Sequence, residues 1–369
     1  MKIRWRDLLG IALSAVFLAA VFRSVDVHQV MTHLRHADPF YLLGASAMAT
    51  LMFPLRARRW RTILDPVAPD LPFGQLWRAT AAGMMVNNVF PARAGEFARA
   101  YALTRETKRV TFSAAFASIG VDRIFDSFVV LILLLGAMQF SSFPSNQEIG
   151  GRTIGTLVAT GALFAAVALV AFYVVVLFPD RFIRLFEVVV GRIAPRYEGR
   201  AREAMTSFVS GLGALRQPRH FAAIMWWTTL HWLVCAVAFW LGFRAVGIDA
   251  PFSAAIVLQG LIAIGVALPS TPGFFGVFEY VATKTLPLYG VSPTLAASWA
   301  ISYHIASYIP ITLIGGYYFV RLGLHFRELQ RPSDGRPEPA RPEPPMAAAI
   351  RGLETSGGSS EEPERRETR

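Results

Sequence analysis

The chain has 369 residues, of which 54% are hydrophobic and 17% are charged, and its formal net charge is +11. Soluble globular domains carry about 25% charged residues, so this composition leaves too little polar surface for a water-soluble fold. The same numbers exclude a coiled coil and a disordered chain, and the single cysteine, Cys235, excludes an internal disulfide and a thiolate metal site.

Long apolar stretches predict membrane-spanning helices, because a bilayer core of about 30 Å needs roughly 20 apolar residues at 1.5 Å each. We predict six spanning helices, in chain order 8–22, 39–55, 111–140, 153–178, 221–246 and 294–320. We interpret the first as a retained helix, since no small-x-small signal cleavage site follows it. The stretches 72–102 and 251–286 are irregular, and we expect each to begin and end on the same side of the membrane.

The basic residues predict the orientation, because short cytoplasmic loops are enriched in Lys and Arg. They gather after position 55 and over 180–217, whereas the loop 141–150 has none. We therefore predict a multi-pass protein of the bacterial inner membrane with both termini in the cytoplasm. The amphipathic segments 25–38 and 180–217 predict surface helices, the second against anionic inner-leaflet lipids. The polar composition after 325 predicts a membrane domain over 1–325 and a disordered cytoplasmic tail over 326–369.

The two irregular stretches share a sequence pattern. Each opens with Asp-x-Pro-Phe and later contains Pro-x-x-x-Gly; the first copy has these at Asp70 and Pro91, the second at Asp249 and Pro269. The charge distribution makes the first copy enter from the cytoplasm and the second from outside. The halves, about 39–140 and 221–320, are then inverted repeats with two re-entrant or broken helical hairpins in an all-α membrane protein. Such hairpins form substrate sites in transporters, although a pair of structural kinks is the alternative.

Polar and charged residues gather at the two breaks, where Pro and Gly free helix-end N–H and C=O groups for a ligand. A charge at the centre of a membrane helix costs at least about 2.5–3.5 kcal/mol, so a cluster indicates function. The candidate substrate-binding residues are Asn87, Asn88, Pro91, Arg93, Gly95, Glu96, Arg99, Pro269, Ser270, Thr271, Pro272, Gly273 and Glu279. The candidate coupling or charge network is Asp122, Arg123, Asp126 and His304. A structural pairing of the two aspartates with Arg93 or Arg99 is the alternative.

The chain resembles the flippase-like membrane family named for the transmembrane region of lysylphosphatidylglycerol synthase, from about Arg4 to Arg321. The resembling motifs are Asn87-Asn88-Val-Phe-Pro91-Ala-Arg93-Ala-Gly95-Glu96, Asp122-Arg123 and Pro269-Ser-Thr-Pro-Gly273-Phe-Phe-Gly276-Val-Phe-Glu279. The resemblance implies handling of a lipid and leaves the lipid open. The synthase relatives carry an aminoacyl transferase domain, which we do not expect here, so lipid aminoacylation is not implied.

We predict an inner-membrane lipid translocator and not an enzyme. A phosphate-bearing headgroup would enter between the hairpins and pair with Arg93 and Arg99, whose planar forks suit phosphate. A buried carboxylate, Glu96, Asp122, Asp126 or Glu279, would carry a coupling proton. The alternatives are a membrane enzyme that modifies a lipid headgroup and a non-transporting scaffold.

The sequence predicts no cofactor and no metal, because it has no Asp-x-Asp site, no glycine-rich phosphate loop and no metal-ligand spacing among its histidines. It also predicts no nucleic-acid partner, because the basic residues flank membrane helices instead of forming one patch. The expected partners are a membrane lipid substrate and anionic inner-leaflet lipids. A homo-oligomer is left open, as are the direction and the energy source of transport.

Overall fold

The structure, a computed structural model, describes residues 16–23, 25–90, 94–137, 139–140, 145–146, 148–149, 151–178, 217–266 and 272–324, with isolated positions at 181, 184, 188, 192 and 199. Residues 16–23 are helical. The helices that follow are α1 Val27–Arg35, α2 Pro39–Thr50, α3 Met52–Leu64, α4 Phe73–Val89, α5 Gly95–Glu106, α6 Phe112–Ala137, α7 Ile154–Leu177, α8 Pro218–Ala245, α9 Phe252–Gly265, α10 Val277–Thr285 and α11 Pro293–Arg321.

The remaining described elements are short. Turns of 3₁₀ helix cover Pro272–Phe274 and Leu286–Tyr289, and the strands β1 Glu148–Ile149 and β2 Arg152–Thr153 pair as a two-residue antiparallel ladder. The fold is therefore all-α, as predicted. Contacts divide the chain into Met1–His325 and Phe326–Arg369, and the described residues all belong to the first part. The predicted tail and nearly all of the predicted surface segment 180–217 lie outside the described residues.

Local sequence signals set several helix starts. Asp26 caps α1 by accepting from the backbone N–H of His28 at 2.9 Å, and Asp38 caps α2 by accepting from Phe40 at 2.8 Å. Ser292 caps α11 in the same way. A capping side chain satisfies an N–H that has no partner inside the helix, so these starts follow from a few adjacent residues.

The second predicted spanning helix is longer than the sequence indicated. We predicted that it ends at position 55, where the arginines begin, but α2 and α3 together run over Pro39–Leu64. The prediction is wrong because the arginines lie on the helix itself, and Arg59 is completely buried. A helix can carry charge past the apolar stretch when neighbouring helices supply partners for it.

Two helices of the described residues are long and apolar enough to cross a membrane, Pro39–Leu64 with 26 residues and Pro218–Ala245 with 28. They hold the same place in the two halves, each before a broken hairpin. Helix α6 has 26 residues but carries Asp122, Arg123 and Asp126. The number of spans, six in the sequence analysis, remains a prediction.

Each irregular stretch folds as a helical hairpin that returns to the side where it started. In the first, α4 and α5 run antiparallel, because Gln75 near the start of α4 donates to the carbonyl of Glu106 at the end of α5 at 3.2 Å. Arg78 also pairs with Glu106. In the second, α9 and α10 pack together across the break. These four helices have 17, 12, 14 and 9 residues, so none exceeds about 26 Å, less than the bilayer core of about 30 Å.

The two halves run in opposite directions. Helices α2 and α3 lie antiparallel to α8: the N–H of Asp38 donates to the carbonyl of Ala245 at 2.7 Å at one end, and His220 lies 3.7 Å from Asp65 at the other. Equivalent helices of the two halves therefore pack side by side with opposite polarity. This is the arrangement of an inverted repeat.

Each hairpin also packs on the long helix of the other half. Gly315 of α11 lets α4 approach, since a Cβ there would lie 2.4 Å from the carbonyl oxygen of Ala81. Gly260 of α9 meets α6 in the same way, because its Cβ would lie 2.9 Å from the side chain of Leu134. These two helix contacts, α11 with α4 and α9 with α6, join the two halves of the protein.

Candidate functional site

The break in the first hairpin is held by close glycine packing. A Cβ at Gly95 would lie 2.0 Å from the carbonyl oxygen of Gly83, so α4 and α5 can meet here only without side chains. The N–H of Gly95 donates to Oδ1 of Asn87 at 2.8 Å, which satisfies one of the free donors at the start of α5. The predicted Pro91 and Arg93 lie outside the described residues. The side chain of Asn87 therefore fixes the start of α5 at the tip of the first hairpin.

A buried ion cluster lies beneath this tip. Arg59 of α3 lies between two aspartates of α6, with Nε 2.6 Å from Oδ1 of Asp122 and Nη1 2.6 Å from Oδ1 of Asp126. Arg99 of α5 lies 3.0 Å from Oδ2 of Asp122 and stacks on the ring of Trp60, with 4.0 Å between Cζ and the ring centroid. Charges this deep in a protein persist only when they are paired, and the cluster joins α3, α5 and α6.

Arg123 connects this cluster to more exposed groups. Its guanidinium lies 3.2 Å from Oδ2 of Asp126 and 3.6 Å from Oε1 of Glu96, and its side chain is 31% exposed. Trp232 of α8 donates from Nε1 to Oδ1 of Asp126 at 2.9 Å. The second half therefore contributes to the cluster through an indole.

The break in the second hairpin is an unusual turn built on positive φ angles. Gly273 has φ of 68°, Phe274 has 64° and Gly276 has 89°. Glycine adopts such angles without the steric cost that a Cβ adds. Glu279 accepts from the N–H of Gly276 at 2.7 Å and so closes the start of α10. Pro272 opens the turn, whereas the predicted Pro269, Ser270 and Thr271 lie outside the described residues.

His304 of α11 joins this turn to a carboxylate. Its Nδ1 lies 2.6 Å from Oε1 of Glu279 and its Nε2 lies 2.8 Å from the carbonyl oxygen of Gly273, and all three residues are buried. The ring stacks on Phe275 with centroids 4.2 Å apart. These contacts fix the imidazole against the tip of the second hairpin.

The two ring nitrogens of His304 therefore face a carboxylate on one side and a backbone carbonyl on the other. Both of these groups are hydrogen-bond acceptors when the carboxylate is ionised, so the tautomer of His304 decides which of them receives a hydrogen bond.

Hydrogen bonds connect the tip of the first hairpin to the second half. The side chain of Asn88 donates from Nδ2 to the hydroxyl of Thr312 at 2.9 Å. The backbone carbonyl oxygen of Asn88 accepts from the hydroxyl of Tyr308 at 3.2 Å. A Cβ at Gly273 would lie 2.7 Å from the ring of Tyr308. Tyr308 therefore touches both hairpin tips.

A cavity of about 1030 Å³ lies between the two halves. Both tips contribute to its wall, Asn87, Asn88 and Glu96 from the first and Gly273 from the second. Its other polar lining residues include Arg56, Arg123, Asp126, Ser127, His231, Trp232, Gln259, Tyr303, His304, Ser307 and Tyr308. Much of the remaining wall is apolar, and such a pocket with a few convergent polar groups suits an amphipathic ligand.

The structure corrects the predicted grouping of these residues. His304 was assigned to one network with Asp122, Arg123 and Asp126, but it pairs with Glu279 instead. Each polar residue contacts the hairpin of its own half: Asp122 contacts α5 and His304 contacts α10. Two polar clusters, one in each half, replace the single predicted network.

The structure also changes the predicted role of Arg99 and adds residues. Arg99 is 4% exposed and paired with Asp122, as in the structural alternative, and it does not line the cavity. Arg59 and Arg56 were missed because their run of arginines indicated a cytoplasmic flank. Trp232 was missed because no sequence signal separates a bonded indole from an interfacial one.

Comparison with known proteins identifies the family to which this chain belongs. The model of the lysylphosphatidylglycerol synthase transmembrane region matches residues 8–315, which include both hairpins and both clusters. The chain belongs to this family. It is therefore an all-α membrane protein of the lysylphosphatidylglycerol synthase transmembrane-region family, and the resemblance seen in its motifs is confirmed.

Three proteins that are similar to this chain come from archaea. The chain is 27% identical over 335 residues to Glycosyltransferase AglD of Haloferax volcanii, a match that covers 83% of this chain and 53% of AglD. It is 24% identical over 318 residues to a UPF0104 membrane protein of Methanothermobacter thermautotrophicus, with 83% and 92% covered. It is 21% identical over 329 residues to the UPF0104 membrane protein PH1989 of Pyrococcus horikoshii, with 84% and 94% covered. The chain thus spans about half of AglD and most of the two membrane proteins.

Proposed function

We propose that this protein is a lipid translocator, which moves a lipid with a polar, phosphate-bearing headgroup from one leaflet to the other. The observation that carries the proposal is the cavity of about 1030 Å³, whose wall takes residues from both inverted halves and both hairpin tips. The headgroup lies in this cavity while the acyl chains remain in the bilayer. Inverted repeats with interrupted helices at corresponding positions suit alternating access around one central site.

The location in the cytoplasmic membrane, with six spans and with both termini in the cytoplasm, is part of the proposal. Basic residues of the described helices support this orientation, because Arg61, Arg105, Arg219 and Arg321 lie at the ends of α3, α5, α8 and α11 that share one side. The proposed partners are the transported lipid and the anionic lipids of the inner leaflet.

Our proposed coupling site is the pair of Glu279 and His304, because a carboxyl group and an imidazole can both carry a proton and their atoms Oε1 and Nδ1 lie 2.6 Å apart. The pair lines the cavity through His304, and it touches the tip of the second hairpin through Gly273 and Gly276. A change in the protonation of the pair would change these hydrogen bonds and so the hold of the pair on the tip. The carboxylates of Asp122 and Asp126 fit this task less well, because arginines already pair with them.

Translocation is tested with the full-length protein in phosphatidylcholine liposomes that contain phosphatidylglycerol with a fluorescent headgroup. Dithionite bleaches the outer leaflet, so a translocator raises the bleached fraction above the half seen in protein-free liposomes. Mass spectrometry of the recovered lipid should find it unchanged. An unchanged bleached fraction for phosphatidylglycerol and for polyprenyl-phosphate analogues would count against the proposal.

The same assay separates a translocator from the second candidate, an enzyme that acts on a lipid headgroup. The name of Glycosyltransferase AglD favours this candidate, although the match covers only 53% of AglD. Turnover that changes the mass of the lipid without moving it would select the enzyme.

The coupling proton is tested by imposing a pH gradient on the same liposomes. Glu279→Gln keeps an acceptor for Gly276 and a donor for a neutral His304, but it removes the titratable proton. We expect the wild-type rate to depend on the gradient and the Glu279→Gln rate not to. Glu106→Gln, outside the cavity lining, is the matched control and should keep the dependence. An equal response of wild type and Glu279→Gln would exclude the pair as the coupling site.

A further inference from the structure

Helix α11 carries a proline in its interior, Pro310. Proline has no N–H, so the carbonyl oxygen of Ala306, four residues earlier, has no hydrogen-bond donor from the helix itself. The proline ring also crowds that carbonyl. Helices bend most readily where their ladder of hydrogen bonds is interrupted in this way, so Pro310 is a point at which α11 can bend.

A serine of the first half replaces the missing donor. Ser46 of α2 donates from its hydroxyl to the carbonyl oxygen of Ala306 at 2.7 Å, and both residues are half-buried. Helices in membranes tolerate proline when a neighbouring side chain satisfies the freed carbonyl. A hydroxyl rotates, so it can follow this carbonyl through a change of direction, whereas a helical N–H would fix one geometry.

The segment of α11 before Pro310 packs on the second hairpin. Trp299 and Tyr303 stack on Phe278 of α10, with ring centroids 5.6 and 6.1 Å apart. One residue further, His304 pairs with Glu279 of the same hairpin. This segment and the second hairpin therefore form one packed unit.

The segment after Pro310 packs on the first hairpin. The hydroxyl of Thr312 accepts from the side chain of Asn88 at 2.9 Å, and Gly315 lies against the backbone of Ala81. Pro310 thus marks the boundary between the part of α11 that belongs to the second hairpin and the part that belongs to the first.

This boundary lies at the cavity and between the two tips. Tyr308, just before the proline, donates to the backbone carbonyl of Asn88 at 3.2 Å, and the side chain of Asn88 is bonded to the segment after it. Tyr308 and Ile311, on either side of Pro310, both line the cavity. A bend at Pro310 therefore changes both the spacing of the tips and the wall of the cavity.

We propose that Pro310 is a hinge in α11, about which the second hairpin moves against the first while Ser46 holds the free carbonyl of Ala306. This inference rests on the proposed function and names the motion that opens and closes its cavity. Alternating access in inverted-repeat transporters is largely a movement of one repeat against the other. A hinge inside a helix that packs on both hairpins allows that movement without breaking the packing of either part.

The motion is tested by double electron–electron resonance on the full-length protein in phosphatidylcholine nanodiscs. Spin labels at Lys284→Cys on α10 and Val320→Cys at the end of α11 report from the two sides of the hinge, in a Cys235→Ala background. Both labelled positions are exposed. We expect more than one distance between the labels when residue 310 is proline.

Pro310→Ala restores an N–H for the carbonyl of Ala306, so we expect it to narrow the distances to a single value. Pro310→Leu restores the same N–H and serves if Pro310→Ala does not fold. Pro293→Ala is the matched control, because Pro293 is the first residue of the same helix, where no helical hydrogen bond is lost. Identical distance distributions with proline and with alanine at 310 overturn the hinge.

The role of Ser46 is tested by a double-mutant cycle of thermal unfolding. Ser46→Ala leaves the carbonyl of Ala306 without its donor, so it should lower the unfolding temperature. In the Pro310→Ala background the same change should cost much less, because the helix now supplies a donor. Equal losses in the two backgrounds overturn the assignment of Ser46 to this carbonyl.

Lipid movement separates this inference from the proposed function. We expect Pro310→Ala to slow translocation by about 2- to 10-fold, the factor that one net hydrogen bond supplies, and Pro293→Ala to keep the wild-type rate. A protein that shows the hinge motion but moves no lipid would end the proposed function and keep the hinge. A protein that moves lipid equally well with Pro310→Ala would end this inference and keep the function.

Discussion

Arg59 lies completely buried between two carboxylates, so its removal would leave Asp122 and Asp126 without their closest cation. An uncompensated buried charge is costly, and breaking a buried pair from one side typically costs about 3–5 kcal/mol. We therefore expect Arg59→Met to lower the thermal unfolding temperature of the purified protein strongly.

Arg61, two residues further along α3, is the matched control for Arg59→Met. It pairs at 3.7 Å with Asp70, whose side chain is 93% exposed, and an exposed pair is worth below about 1 kcal/mol. Arg61→Met should therefore unfold close to the wild-type temperature. Equal losses in the two variants would mean that the cluster around Arg59 does not hold α3 and α6 together.

The difference between Arg56 and Arg59 shows how two charges of one helix take separate roles. Arg59 faces α6 and meets two carboxylates, whereas Arg56 faces the cavity and meets a thioether. A single helical turn separates them, so neither composition nor hydropathy distinguishes their roles. Only the positions of α4 and α6 do so.

The packing of α11 on α4 depends on one glycine of an adjacent pair. A Cβ at Gly315 would lie 2.4 Å from the carbonyl oxygen of Ala81 and 2.5 Å from Cβ of Met85, whereas no described atom lies within 4 Å of a Cβ at Gly316. Gly315→Ala must therefore push the two helices apart, at a cost of about 1–3 kcal/mol or more.

Gly316→Ala is the control, and it should leave stability unchanged or raise it by up to about 1 kcal/mol, because alanine is the better helix former. Thermal unfolding of both variants measures the difference. If Gly315→Ala were as stable as Gly316→Ala, the close contact between the first hairpin and the second half would be disproved.

The helices and hairpins could be predicted where the deciding residues are neighbours in sequence. Asp38 with Pro39, and Ser292 with Pro293, mark helix starts by local capping, and Gly273 marks a turn because glycine adopts a positive φ without steric cost. Arg59 could not be assigned in this way, because its partner Asp126 lies 67 positions away. In the sequence, Arg59 stands in a run of arginines, and such a run indicates a cytoplasmic loop.

The candidate site could be predicted as a set of residues but not as a set of pairs. The repeated Pro-x-x-x-Gly pattern indicated both tips, and the cost of a charge inside a membrane helix indicated Asp122, Arg123 and Asp126. The partner of each depends on which hairpin packs against its helix, and that is a property of the tertiary fold. Sequence spacing therefore located these polar positions without showing that they form two clusters.

At the scale of the whole molecule, the topology that we propose places corresponding residues of the two repeats on opposite sides of the membrane. Asp70 and Asp249 open the two hairpins in the same motif, and their side chains are 93% and 89% exposed. In a Cys235→Ala background, we expect a membrane-impermeant maleimide to label Asp249→Cys in intact cells. Asp70→Cys should be labelled only after the cells are permeabilised. Labelling of both from the same side would contradict the inverted arrangement in the membrane.

The central claim is that a lipid headgroup passes through the cavity between the halves. Its most direct test is lipid movement before and after a bulky maleimide is attached inside that cavity. Ser307 of α11 lines the cavity, and Gly316 of the same helix does not, so Ser307→Cys and Gly316→Cys in the Cys235→Ala background form a matched pair. Modification at 307 should stop the movement of fluorescent phosphatidylglycerol and modification at 316 should not, whereas an unchanged rate after complete modification at 307 would contradict the claim.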